Sequence, residues 1–104
     1  METILERVRR ASRTRLLFLP HAVRQMSRPE RMISPAEVEA VVSRGDLVED
    51  YPEDPRGPSC LLVGRGEGAR LVHVVCAPKD EYLAVVTAYI PDPERWSPDG
   101  RRRL

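Results

Sequence analysis

At Gly45 the spacing of the apolar residues changes period, and this divides the 104-residue chain in two. Before it, apolar side chains recur every three or four residues, the spacing of a helix that buries one face. After it they alternate, or run together over short stretches bounded by turn residues, as strands do. A chain of this length builds one domain, residues 1–104, with one modest core between two layers. The class that follows is α+β: two or three N-terminal helices packed on one face of a four-stranded antiparallel sheet.

Residues 2–11 predict a short amphipathic helix with Ile4, Leu5 and Val8 on one face, interrupted by Arg13 to Arg15. Leu16 to Leu19 reads as a strand or an extended docking segment. Pro20 opens a helix over 20–27 that turns Ala22, Val23 and Met26 inward. The best-marked helix is Pro35–Arg44. Ser34 stands at its N-cap, Pro35 at its first position and Glu37 at the capping-box position, with Gly45 just past its end.

The strands expected are Leu47–Tyr51, Ser59–Gly64, Arg70–Cys76 and Tyr82–Ile90. Their short connections (PEDPRGP, GRGEG, APKDE) favour an antiparallel meander. GRGEG has strands on both sides, so it reads as a hairpin and not as a phosphate loop. The tail, PDPERWSPDGRRRL, is irregular, and residues 97–104 are expected to be mobile.

Net charge is only +1, but residues 1–31 hold eight Arg against three acids and residues 32–62 hold two Arg against seven. A basic face of this kind suits phosphate or an acidic partner; a solvated arginine surface is the plain alternative. Cys60 and Cys76 lie in apolar runs, as buried thiols in a reducing compartment do. Two Cys and two His this widely spread make no zinc site, and no cofactor motif is present. No stretch approaches the ~20 apolar residues of a membrane span, and METILERVRR lacks a signal-peptide core. The expected location is cytoplasmic.

Alternation over LVHVVC puts Val72, Val74 and Cys76 on one face and His73 on the other. Alternation over LAVVTAYI puts Ala84, Val86, Ala88 and Ile90 toward the helices and Thr87 and Tyr89 on the His73 side. Tyr51 is a candidate to join them, and Thr87 reads as a strand former. Imidazole, phenol and guanidinium can together cleave a phosphodiester without metal. One group takes the 2′-OH proton, one protonates the leaving oxygen, and a cation holds the developing charge. The candidate acid–base residues are therefore His73, His21, Tyr89 and Tyr51. The candidate RNA-binding residues are Arg24, Arg28 and Arg31, with His21, Arg24 and Arg28 at helical spacing on one side. The plain alternative for each ring is packing with one hydrogen bond. Asp50 is placed to pair with a helix arginine.

The residues FLPHAVRQMSRPERMISPAEVEAVVSRGDLVEDYPEDPRGPSCLLVG, then LVHVVCAPKDEYLAVVTAYIPDPERW, resemble a bacterial and archaeal domain-of-unknown-function family, number 4258, over residues 18–96. The pattern is a histidine before the Arg/Met helix, I-S-x-x-x-V, E-D-Y, L-L-x-G, H-V-V, T-x-Y-x-P and a closing Trp. It falls on His21, Arg24, Arg31, Tyr51, His73, Thr87, Tyr89 and Trp96. That family in turn resembles the RelE/ParE and BrnT toxins, which pack N-terminal helices on an antiparallel sheet. The resemblance implies a metal-independent endoribonuclease of a toxin–antitoxin pair, with RNA or the ribosome as target and a small YgiT-type zinc-finger, antitoxin-like protein as partner. The alternative is a non-catalytic interaction module, or a degenerate toxin that keeps only its partner. The chain departs from potent ribosome-dependent toxins in being nearly neutral, whereas dense phosphate contacts want positive charge.

Overall fold

A computed structural model describes all of residues 1–104. Helix α1 (Ile4–Thr14) leads into a three-residue strand β1 (Leu16–Phe18), and helices α2 (Pro20–Met26) and α3 (Pro35–Arg44) follow. The rest is sheet: β2 (Asp46–Tyr51), β3 (Ser59–Arg65), β4 (Leu71–Pro78) and β5 (Leu83–Tyr89). The sheet has five strands in the order β1-β5-β4-β3-β2, four of them antiparallel as expected. The correction is the fifth: β1 runs parallel to β5, pairing Leu16 with Leu83 and Phe18 with Val85. It is short because Pro20, which has no N–H to give a ladder, starts α2 two residues later.

Both long helices begin with reciprocal caps. Ser34 Oγ accepts from the Glu37 N–H at 3.1 Å, and the Glu37 carboxylate accepts from the Ser34 N–H at 3.1 Å. Thr3 and Glu6 do the same for α1 at 3.1 and 2.8 Å. The T-x-x-E at residues 3–6 carries that signal in the sequence. With this cap, α1 runs through Arg13 to Thr14 and is not interrupted there. Gly45 closes α3 because of space. An added Cβ would lie 2.5 Å from the Val41 carbonyl oxygen and 2.6 Å from that of Val63.

All three helices cover one face of the sheet. Val8 and Ala11 of α1, Ala22 and Met26 of α2, and the α3 valines 38, 41 and 42 meet Leu62, Val72, Val74, Leu83, Val85 and Ala88. Each large apolar side chain so buried contributes about 1.5–3 kcal/mol, which makes this layer the main source of stability. Cys60 and Cys76, both buried and free, face each other across the β3–β4 ladder in the same layer. Burial and the hydrogen bond to Cys60 hold the Cys76 thiol protonated.

Strand β5 departs from simple alternation. Val75 pairs with Thr87 and Cys76 with Val85, so Val86 is an extra residue that bulges the strand. Beyond the bulge, Ala88 faces the helices, and Thr87 and Tyr89 face away. Before it the parity reverses: Leu83 and Val85, not Ala84 and Val86, enter the helical core.

The opposite face of the sheet is also covered. Residues 91–104 fold back across it, with Trp96 bridging to Arg103, and Leu61, Val63 and His73 are buried beneath. The tail, whose arginines the sequence leaves as an irregular end, is laid over the sheet as a strap. The longest helix has 11 residues, and none is long and apolar enough to cross a membrane.

Candidate functional site

Register places the site residues. Val63, His73 and Tyr89 are directly opposite one another on β3, β4 and β5, so their side chains share the strap-side face. On β2 the same face carries Asp46, level with Val63, then Glu49 and Tyr51 after a bulge at Val48. His73 and Tyr89 are therefore on one face, as the alternation predicts, and the β2 register brings Tyr51 to the same face. Glu49 joins them, a residue that sequence reasoning passed over.

His73 is 0 % exposed. Its Nε2 lies 2.7 Å from the Gly100 carbonyl oxygen and its Nδ1 lies 3.2 Å from the Tyr89 hydroxyl. A carbonyl oxygen only accepts, so Nε2 carries the proton. The neutral ring then has a lone pair at Nδ1, and the Tyr89 O–H donates to it. The Trp96 indole meets the imidazole edge-on, with ring centroids 4.6 Å apart and planes at 88°. Burial holds the His73 pKa below its ordinary value, against the opposing pull of the Gly100 hydrogen bond and the Glu49 charge. Burial likewise raises the Tyr89 hydroxyl. An accessible imidazole base, the role expected for His73, is not what this geometry supplies: Trp96 and Gly100 shut it from water.

The acidic edge of this face is held by the strap's arginines. Arg103 donates to both Glu49 oxygens, at 2.7 and 3.0 Å, and its guanidinium lies 4.7 Å from the Trp96 ring centroid. Arg101 reaches Asp46 at 2.6 Å. Tyr51 donates to Glu49. Burial and that acceptor push its hydroxyl up to about 12. The Arg103 hydrogen bond holds the Glu49 carboxyl below its usual range.

The N-terminal candidates lie elsewhere. His21 is exposed on α2, in the helical layer, so the sheet separates it from His73. Arg24 is also exposed and makes no ion pair. Arg28 and Arg31 fall after α2 ends at Met26, so the predicted single-sided row of His21, Arg24 and Arg28 is broken by the turn at Ser27. Arg28 and Arg31 instead line a cleft of about 190 Å³ with Gln25, Glu30 and Tyr89, and Arg31 donates to the Ile90 carbonyl at 3.0 Å. Asp50 is exposed and unpaired, contrary to its expected pairing with a helix arginine.

A larger concavity of about 430 Å³ opens between β1, α2 and the start of α3. Phe18, Val23, Met26, Met32, Ile33 and Pro35 form its walls. Val23 and Met32 are 49 % and 60 % exposed. Its far wall is fixed by Arg70, which donates to the carbonyls of Arg31 and Met32 and to both oxygens of buried Glu37. No group of three or more His, Cys, Asp or Glu side chains converges in a way that could hold a metal ion.

Comparison with known proteins returns one family. Residues 18–90 match the family model described as a domain of unknown function, DUF4258. No curated protein and no solved structure matches the chain.

Proposed function

The chain belongs to the DUF4258 family, and from that premise we propose that it is a non-catalytic protein-interaction module, a toxin-like domain that binds a small partner. The observation that carries this reading is the contrast between its two faces. The face with the acid–base candidates is sealed at His73, while the apolar groove beside α2 stands open with Val23 and Met32 in water. Met-rich apolar grooves adapt to partner side chains, and an exposed apolar patch of this kind marks a docking site. Arg24 and Arg28 are exposed and make no ion pair, and Arg28 lines the cleft that shares Ile33 with the groove, which favours an apolar segment with acidic flanks. A small zinc-finger, antitoxin-like protein of the YgiT type is the partner proposed. The test is to express the chain alone and beside the product of its neighbouring gene. This reading expects normal growth, intact RNA, and co-purification that Val23→Glu abolishes. Growth arrest with cleaved RNA, relieved by His73→Ala, would overturn it.

A second reading, the metal-independent endoribonuclease, is favoured by one observation. The seal over His73 is made by residues 91–104, beyond the matched residues 18–90. With the strap lifted, the Tyr89 oxygen would take the 2′-OH proton while its own passes to His73 Nδ1. The 2′ oxygen would attack phosphorus as the bond to the 5′ oxygen breaks, and the proton held by the His73–Tyr89 pair would return to that departing oxygen. In this reading Tyr89 is the catalytic residue and His73 positions and relays. Arg28 and Arg31, which share the Tyr89 cleft, would hold the phosphate.

A further inference from the structure

The strap is bound to the sheet in an unusual way. Its backbone hydrogen bonds all stay within itself: Arg95 and Trp96 N–H to Asp92, Ser97 N–H to Arg102, Gly100 N–H to Ser97 and Leu104 N–H to Arg95. None joins residues 91–104 to the sheet it covers. Attachment rests on side chains: the Trp96 ring against His73, the His73 bond to the Gly100 carbonyl, and the two ion pairs Arg101–Asp46 and Arg103–Glu49. Pro91 and Pro93, which have no N–H, stand at the hinge where the strap leaves β5. Such a segment can lift as a unit without breaking a ladder.

The ion pairs are partly open to solvent. Arg101 and Arg103 side chains are 48 % and 64 % exposed, and pairs of that kind hold weakly. Three arginines in succession, Arg101 to Arg103, make the strap's tip the densest positive run of the chain's second half. A polyphosphate competes for them directly, because it offers several acceptors at once where β2 offers two carboxylates. Lifting the strap also withdraws the indole and leaves the rings of His73, Tyr89 and Tyr51 on one face. Nucleobases stack on such rings, a use that a merely acidic protein segment does not have.

We propose that residues 91–104 are a releasable strap whose arginines, Arg101 to Arg103, bind the phosphate backbone of single-stranded RNA, and that this binding uncovers His73 and Tyr89. The proposal goes beyond docking at the apolar groove and is independent of whether the uncovered face cuts RNA. Arg101 and Arg103 act as both latch and handle: while the strap is down they answer Asp46 and Glu49, and when it is up they join Arg102 in answering phosphate.

Trp96 is the only tryptophan, so its emission reports the strap alone. The full-length chain is titrated at low salt with a short oligouridylate, which leaves indole fluorescence readable. Trp96 emission should shift to the red and acrylamide quenching should rise several-fold, saturably. The binding constant should fall with salt at a log–log slope of about −2, as for three phosphates on a single strand. The double variant Asp46→Asn, Glu49→Gln keeps every arginine and removes the two sheet carboxylates that hold Arg101 and Arg103. Asp99, within the strap, stays 3.9 Å from Arg101, so only the two contacts to the sheet are lost. The variant should bind oligouridylate about three- to fivefold more tightly, with Trp96 already exposed before RNA is added. Binding that leaves Trp96 unchanged, no binding at low salt, or a double variant that binds no better than the parent would each overturn the proposal. Helical circular dichroism of the variant checks that its fold is kept, and the titration of the parent chain stands on its own.

Discussion

His73 accepts the hydroxyl proton of Tyr89 at Nδ1 because its Nε2–H is already committed to the carbonyl of Gly100. This one pairing fixes the tautomer of a buried ring and joins β4, β5 and the C-terminal strap in a single chain of hydrogen bonds. It also turns the imidazole from an expected solvent-facing base into the anchor of a closed face.

Gly100 is required at its position. Its φ is +72°, and an added Cβ would sit 3.2 Å from His73 Nε2. Gly100→Ala should destabilise the chain by about 1–2 kcal/mol through the left-handed backbone alone. Thermal melts measure that loss, and Trp96 quenching should increase because the strap loosens with it.

Acid should loosen the same contact. Burial lowers the His73 pKa in the folded chain, so below about pH 6.5 the unfolded chain binds a proton that the folded chain refuses. Stability should therefore fall as pH drops from that point. The proton also makes Nδ1 a donor and forces the Tyr89 hydroxyl to turn. Glu49 on β2 favours the charged ring, and Arg103 opposes it. Melting temperature followed from pH 7.5 to 5 checks this, and the slope should flatten in His73→Phe.

Glu37 controls a lower window. The Arg70 guanidinium holds its buried carboxyl at about 2, against an ordinary value of 4.5. A depressed carboxylate contributes its full stability above the unfolded value and loses it as pH falls from about 4.5 toward 2. At neutral pH the difference is about 3 kcal/mol. Glu37→Gln should lose a similar amount and remove the acid transition in that window. Arg70→Gln should cost at least as much, since it leaves the carboxylate buried without its cation. Chemical denaturation at pH 7 and pH 3 separates these outcomes.

The groove predicts a split between folding and binding. Val23 and Met32 are largely exposed, so Val23→Glu and Met32→Glu should alter stability by less than about 0.5 kcal/mol. If the groove receives a partner's apolar segment, each should weaken that complex at least about tenfold, as buried hot-spot losses do. Denaturation midpoints and calorimetric titration with the partner measure the two effects independently.

How far the sequence carries depends on the range of the interactions that decide each feature. Ser34, Pro35 and Glu37 mark α3 to the residue because a cap is a local device. Thr3 and Glu6 hold the same signal for α1 in four residues. The strap-side placement of His73 and Tyr89 was legible because both lie where alternation is unbroken. Ala84 was misplaced because a bulge leaves no local mark in LAVVTAYI. The three-residue β1 was ambiguous because a parallel partner 67 residues away decides it, Leu16 meeting Leu83. The strap has the composition of a tail, and its path over the sheet comes from Trp96, Arg101 and Arg103 meeting residues that are distant in sequence. The burial of His73 has the same long-range cause, so alternation alone does not carry it.

The extra residue in β5 has a further implication for how this chain tolerates change. Val86 is left out of the ladder, so Leu83 and Val85 enter the helical layer before it, and Thr87 and Tyr89, still at odd numbers, face the strap after it. Were Val86 paired opposite Val75 instead of left out, every later residue would slip by one, turning Thr87 and Tyr89 into the grease beneath α2 and Ala88 out toward the indole. Deleting the valine altogether would close the ladder and leave all three on their present faces. The tyrosine's address is thus written in which valine the ladder skips, and the strand tolerates losing that residue better than pairing it.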